Sequence, residues 1–156
     1  MSDLERLAAE EQALQFTTFT NDDAWELGTR LVAAARADAL PITIDIRRGD
    51  QQLFHAALPA TSPDNDAWIE RKIRLVRRVG RSSFAVGASL RHEGRTIEEA
   101  YLLHESEYAP HGGAFPVRVK GVGVVGTVAV SGLPQEEDHA FVVKIISQFL
   151  NAEASS

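Results

Sequence analysis

The chain has 156 residues, of which 44% are hydrophobic and 24% are charged, so its size and composition are those of one globular domain. It contains no cysteine, which excludes disulfides, thiolate nucleophiles and cysteine metal sites. The net charge of −6 disfavours nucleic acid as a partner, and the absence of a secretory signal or an apolar run of about 20 residues predicts a cytoplasmic protein that binds no membrane.

The first half of the chain predicts two helices and three strands. Residues 2–5 form a capping box that begins a short helix. Residues 14–19 alternate as a strand does, and a cap at 20–21 begins a longer amphipathic helix. Residues 42–47 alternate isoleucine with polar side chains, which is typical of a strand with one buried face, and 52–58 returns as its partner.

The second half predicts further helices around one more hairpin. Ser62-Pro63 begins a helix that ends near Gly80. Residues 82–94 and 96–103 form two shorter helical segments. Residues 115–130 form a hairpin whose second strand is apolar or small on both faces, so we expect it to lie centrally in the sheet. Pro134 begins the last helix, which we expect to end near Leu150.

This order of elements predicts an α/β protein of the α+β type. Hairpins, rather than repeated crossovers, connect the strands, so the sheet should be mostly antiparallel and flanked by helices. There is no internal repeat or linker. We therefore assign residues 1–151 to a single domain and expect residues 152–156 to form a disordered tail.

No catalytic motif is recognisable in the sequence. Gly121, Gly123 and Gly126 spell a G-x-G-x-x-G pattern, but they lie inside a hairpin that no helix follows. A dinucleotide site needs that following helix, so the pattern does not indicate one. Catalytic residues therefore stay unknown, and we assign no metal site.

One end of the second hairpin is the first candidate for a ligand site. If Lys120-Gly121 is the turn, His111 lies opposite Val130, and Tyr108 lies beside Leu133. Glycines permit close approach of a ligand, and a helix N-terminus offers free N–H donors. The candidate binding residues here are Tyr108, His111, Gly112, Gly113, Ser131 and Gly132. The alternative is a tight glycine turn that packs on a capped helix and binds nothing.

Lys72 and His139 complete the candidate site. Lys72 falls in the middle of the apolar arc of its helix, where its ammonium must reach solvent, pair with a carboxylate or face a polar pocket. His139 lies on the apolar face of the last helix, where it is either a hydrogen-bonded core residue or, with His111, a ligand or metal contact. The arginines opposite Lys72 form a solvated or inter-subunit face.

Two segments carry a resemblance to a known family: HGGAFPV at 111–117 and GVVGTVAVSGLPQEEDH at 123–139. They resemble the haem-degrading domain family, the GlcG/HbpS-like proteins, and above all its uncharacterised cytosolic subgroup. Residues 64–72, the pair Ser82-Ser83 and the strand at 45–47 extend the resemblance over nearly the whole chain. It implies a profilin-like fold with a five-stranded antiparallel sheet, and assembly into dimers or larger rings.

The resemblance also implies haem as a possible cofactor, although no haem-ligand motif of the family maps onto this chain. Because the chain has no cysteine and its one methionine is Met1, an axial haem ligand would be histidine or tyrosine. Three hypotheses follow. The protein is an oligomer that binds a small, possibly anionic or haem-related ligand; or an enzyme with His111 or Tyr108 as acid or base and Lys72 as an electrostatic group; or a structural oligomer without a ligand.

Overall fold

The computed structural model describes residues 2–155 as one five-stranded sheet with helices on both faces. The helices are α1 (Asp3–Ala13), α2 (Asn21–Ala37), α3 (Pro63–Val79), α4 (Ser83–Glu93), α5 (Ile97–Tyr101) and α6 (Gln135–Ala154). The strands are β1 (Gln15–Phe16), β2 (Thr43–Arg48), β3 (Gln51–Ala57), β4 (Ala114–Val119) and β5 (Gly123–Ser131). Their order is β1-β4-β5-β2-β3, and only β1 with β4 is parallel. The predicted fold class is confirmed.

Local capping begins the helices where the sequence predicts. The Thr20 hydroxyl accepts a hydrogen bond from the Asp23 N–H at 3.0 Å, and the Asp23 carboxylate accepts one from the Thr20 N–H at 2.8 Å. The Ser82 hydroxyl accepts the Ala85 N–H at 3.1 Å at the start of α4. Such caps satisfy N–H groups that have no partner inside the helix. No helix within residues 2–155 is long and apolar enough to cross a bilayer.

The main core lies between one face of the sheet and the helices α2 and α6. Ile44 and Ile46 of β2 and Val128 and Val130 of β5 are fully buried there against α2 and α6 side chains such as Leu31. The alternation of these side chains along each strand sends every second residue into this core. The spacing of the isoleucines therefore predicted this face correctly.

Helix α3 covers the opposite face of the sheet. Ile69, Ile73 and Val76 pack there on Ala114 and Ala129, whose small side chains let the helix approach the strands closely. This layer positions the first turn of α3 beside the end of β5.

The expectation that β2 has only one buried face is wrong. Thr43 and Asp45 point away from the main core yet are also buried, because α3 and the neighbouring strands cover that side. The buried Asp45 carboxylate accepts hydrogen bonds from Arg47 at 2.9 Å and Gln52 at 2.6 Å. Asp45 is thus buried and paired, whereas the buried Thr43 hydroxyl has no hydrogen-bond partner among the described residues.

The β4–β5 register differs by two residues from the predicted one. Val130 donates its N–H to the carbonyl of Gly113 at 3.0 Å, so it does not lie opposite His111. The ladder is irregular between Val117 and Arg118, and this irregularity and a longer turn account for the shift. At the His111 end of the hairpin the shift is two residues, so the side chains there keep their predicted faces, whereas the pairs Arg118–Val124 and Val119–Gly123 near the turn differ by one residue from the predicted pairing.

Two element boundaries also differ from expectation. Only Gln15–Phe16 of the predicted strand at 14–19 pairs with a neighbour. Helix α6 continues to Ala154, beyond the expected end near Leu150, so residues 152–154 of the expected disordered tail are helical. Ser156 lies outside the described residues. The assignment of residues 1–151 to one domain stays a prediction.

Candidate functional site: a cavity between the first turns of two helices

A cavity of about 300 Å³ lies where the N-terminal turns of α3 and α6 meet the end of β5. Helix α3 contributes Asn65, Trp68 and Lys72 to its wall. The end of β5 contributes Ser131, and the first residue of α6, Gln135, closes another side. The site is therefore assembled from elements that are far apart along the chain.

Lys72 is the buried cation of this cavity, with 3% of its surface exposed. Its Nζ donates hydrogen bonds to the Val130 carbonyl and to Asp138 Oδ2, each at 3.3 Å. Burial lowers the pKa of the Lys72 ammonium, and the Asp138 carboxylate opposes that shift. Of the three outcomes predicted for this lysine, the ammonium does not reach solvent. It pairs with a carboxylate, and Lys72 also lies in the cavity wall.

Asp138 is the partner that the sequence analysis missed. Its carboxylate is 1% exposed, and Oδ1 accepts the Leu133 N–H at 3.0 Å. Burial raises the pKa of the Asp138 carboxyl, while the charge of Lys72 acts in the opposite direction. Asp138 shares helical spacing with the buried Val142 and Phe149, and this spacing could have revealed that it faces inward.

His111 forms part of the cavity wall as a half-buried imidazole. Its ring lies edge-on to the Trp68 ring, with 5.5 Å between the ring centroids. Burial lowers the pKa of His111, the positive charges of Lys72 and Arg71 lower it further, and Glu105 opposes them. His111 is therefore neutral at neutral pH and offers one donor and one acceptor.

Two side-chain amides are oriented by backbone N–H groups. Gln135 Oε1 accepts the Gly112 N–H at 3.0 Å, and Asn65 Oδ1 accepts the Ser62 N–H at 2.9 Å. Asn65 Nδ2 lies 3.5 Å from Ser131 Oγ, a long contact. Because the oxygens are occupied, the two NH₂ groups are the ends left to donate to a ligand.

Arginines on α3 hold the loop that leads to His111. The Arg71 guanidinium donates to the Glu105 carbonyl and lies 4.6 Å from the centre of the Trp68 ring. Arg74 donates to the Glu107 carbonyl at 3.0 Å. Arg71 and Arg74 therefore hold the loop at 105–107 against α3, and this loop leads to His111.

The predicted site residues divide into three groups. Lys72, His111, Ser131 and Gly132 line the cavity. Gly112 and Gly113 are buried directly behind it, and a Cβ added at Gly113 would lie 2.7 Å from Lys72 Nζ. Tyr108 packs instead on the apolar cluster of α3, α4 and α5. The structure adds six lining residues: Asp64, Asn65, Trp68, Leu133, Gln135 and Asp138.

His139 lies outside the cavity lining. Its Nε2 is 2.8 Å from Glu10 Oε1, and its ring stacks on Phe84 with 4.7 Å between centroids. It therefore connects α1 and α4 to α6 as a hydrogen-bonded core histidine. It does not meet His111, and within residues 2–155 no group of three His, Asp or Glu side chains is arranged to hold a metal ion.

Comparisons with known proteins show the family of this chain. A UPF0303 protein of Streptomyces avermitilis is 57% identical over 150 residues, which cover 96% of this chain and 92% of that protein. The crystal structure of the Ybr137w protein has a TM-score of 0.90 at 34% identity, over 97% of this chain and 89% of that one. A PduOC:heme complex shares the fold, with a TM-score of 0.69 at 15% identity over 83% and 94% of the two chains. The family described as haem degrading protein HbpS-like matches residues 19–147, and this chain belongs to it.

Proposed function

We propose that this protein binds a small anionic molecule, a carboxylate or a phosphate compound, in the cavity between α3 and α6. The observation that carries the proposal is the buried Lys72 ammonium in the cavity wall. A lysine ammonium has three N–H donors, and two of them reach acceptors among the described residues, Val130 and Asp138. The third donor is available to a ligand, and a charge-assisted hydrogen bond of this kind contributes about 1.5–3 kcal/mol.

The surrounding donors support an anion over a cation. The first turns of α3 and α6 both border the cavity, and the N-terminal end of a helix carries a partial positive charge. Pro134 supplies no side-chain cap at the start of α6. Of the two carboxylates in the lining, Asp138 is paired with Lys72, and Asp64 is exposed, so solvent and salt screen its charge.

The size of the cavity restricts the ligand. At about 300 Å³ it lies at the lower end of small-molecule sites. A compound of a few non-hydrogen atoms fits this volume. The polar donors near Lys72, Gln135 and Asn65 suit such a compound better than a large apolar one.

Haem is considered because the family description and the name of one similar structure mention it. The cavity residues do not fit an enclosed haem. The lining includes two side-chain amides and two carboxylates, and His111 is its single histidine among the described residues. A haem pocket needs an axial ligand within a largely apolar slot. We expect at most weak haem binding. Titration with ferric haem should give a gradual change in the Soret band, and a sharp stoichiometric transition that disappears in His111→Ala would contradict this expectation.

Thermal denaturation with a panel of anions tests the proposed function. Phosphate, acetate, lactate and succinate should raise the melting temperature of the wild type to different extents. The matched control is Lys144→Met, because Lys144 is an exposed lysine on α6. We expect the control to respond as the wild type does, and Lys72→Met to lose the response. Equal responses in both variants would contradict the anion site.

We also propose a cytoplasmic homo-oligomer, a dimer or a larger ring. Three exposed apolar side chains support association: Trp25 at 64%, Leu102 at 86% and Val122 at 72% exposure. Strand β3 is also an open edge of the sheet, and unpaired edges favour association. Sedimentation velocity at micromolar concentration should show a species well above 17.0 kDa, and a 17.0 kDa species alone would contradict it.

A further inference from the structure

The position of the Lys72 amine suits a covalent reaction as well as the binding of an anion. Both of its hydrogen bonds are 3.3 Å long, whereas charge-assisted bonds are usually about 2.7–2.9 Å. Its Nζ is thus held loosely, in a cavity wall, beside a carboxyl group that is itself buried. A buried amine next to a proton acceptor and an accessible cavity is the arrangement found in lysines that form Schiff bases.

We propose that Lys72 Nζ forms an imine with a small 2-oxo acid or similar oxo-carboxylate held in this cavity. The proposal rests on the anion site proposed above and names the chemical class of its ligand. The carboxylate of such a molecule meets the donors that favour an anion. Its neighbouring carbonyl carbon is then within reach of the amine.

The amine must be unprotonated to react, and burial raises the fraction of Lys72 that is in that form. Burial lowers the pKa of Lys72 and raises the pKa of Asp138, so both shifts favour transfer of a proton from the ammonium to the carboxylate. In the resulting pair, a neutral amine and a carboxylic acid, neither group carries a charge that burial would penalise. An exposed lysine is protonated at neutral pH and has no comparable group beside it.

The reaction balances with the groups present. The Nζ lone pair attacks the carbonyl carbon and forms a C–N bond, while the C=O π electrons move to the oxygen. A proton from nitrogen is transferred to that oxygen through Asp138, which gives a carbinolamine. The nitrogen lone pair then expels the hydroxyl group, which leaves as water after it takes the Asp138 proton. The product is a C=N bond, and addition of water reverses the step.

Gly113 permits the position that the Lys72 amine occupies in the cavity wall. Its φ of 139° is rarely adopted by other residues. A Cβ there would lie 2.7 Å from Lys72 Nζ and 3.3 Å from its Cδ. The second glycine of the His111-Gly112-Gly113 loop thus lets the backbone pack closely against the amine, where a side chain would displace Nζ. His111, also in the cavity wall and neutral, is a second group that can carry a proton there.

Reductive trapping tests this proposal directly. The full-length protein is incubated near neutral pH with pyruvate or glyoxylate and sodium cyanoborohydride, which reduces an imine to a stable amine. Intact mass and peptide mapping then identify the modified residue. The chain has three lysines, so Lys120 and Lys144, which are exposed, are internal controls in every sample. Among the three lysines we expect the adduct at Lys72, and propionate, which has no ketone, should suppress it by competition.

Two variants test the roles of Lys72 and Asp138 in forming the adduct. Lys72→Arg should give no adduct, and Asp138→Asn should slow adduct formation by roughly a hundredfold, a typical effect for loss of an acid catalyst. Because the wild-type peptide map identifies the lysine by itself, the test holds even if a variant folds poorly. If no adduct forms, or if Lys120 and Lys144 are labelled as much as Lys72, the imine proposal is overturned. If pyruvate stabilises the protein but forms no adduct, the imine proposal is overturned and the anion site stands. If pyruvate neither stabilises the protein nor forms an adduct, both proposals are overturned.

Discussion

Replacing Lys72 and its partner separately and together measures what the buried pair contributes to folding. Lys72→Met removes the ammonium and leaves Asp138, which is 1% exposed, with the Leu133 and Gly132 N–H groups as its remaining donors. Removal of one member of a buried ion pair costs about 3–5 kcal/mol, because the other charge stays buried without its partner. Asp138 already has a raised pKa and can take up a proton, so we expect the lower end of that range.

The double replacement Lys72→Met/Asp138→Asn should recover most of that loss. An amide oxygen at position 138 still accepts the Leu133 N–H, and no buried charge is left without a partner. Replacing both members of a buried pair is often neutral or stabilising, so the double variant should lie within about 1 kcal/mol of the wild type. A loss of about 3 kcal/mol corresponds to a fall in melting temperature of roughly 6–12 °C for a chain of this size.

Urea denaturation followed by circular dichroism measures these differences, at neutral pH and again in acid. A carboxyl whose folded pKa is raised binds its proton more tightly in the folded state, so its penalty is present at high pH and disappears as the pH falls towards the ordinary value of 3.8. The loss in Lys72→Met should therefore shrink in acid. If the two single losses simply add in the double variant, or if Lys72→Met is as stable as the wild type, the pair contributes nothing and the reasoning is refuted.

Three further predictions concern neighbouring residues. Because the pKa of His111 is lowered, the wild type should lose stability as the pH falls below 6.5, and His111→Gln should reduce that loss in urea midpoints compared at about pH 7.5 and about pH 5.5. Gly113→Ala should lower the melting temperature far more than Gly121→Ala, because both glycines have positive φ but only Gly113 has atoms within 3 Å of the added Cβ; equal losses would contradict the packing argument. Glu11→Ala leaves the buried Ser82 N–H without its 2.8 Å acceptor, so it should cost about 1–3 kcal/mol and speed hydrogen exchange in α1 and α4, and unchanged exchange would contradict this role.

Local patterns in the sequence were enough to locate most elements of the fold. The caps at Thr20 and Ser82 and the helical spacing of α3 depend on residues within one or two turns of each other, and such short-range signals are legible without any tertiary information. The same reasoning identified Lys72 as a cation on an apolar face, because only its own helix is needed to see that. The burial of both faces of β2 was missed because it depends on where α3 lies.

The partner of each buried polar group was decided by the tertiary structure. Lys72 and Asp138 are 66 residues apart, and His139 and Glu10 are 129 residues apart. Helical spacing indicates which face of a helix a side chain occupies. The packing of α3 and α6 on opposite faces of the sheet decides which of their residues meet at its end. A two-residue difference in the β4–β5 register at this end of the hairpin moved the expected partner of His111. The candidate site is a junction of helix ends and a strand end, so its residue types were visible in the sequence, whereas its pairings arise from long-range packing.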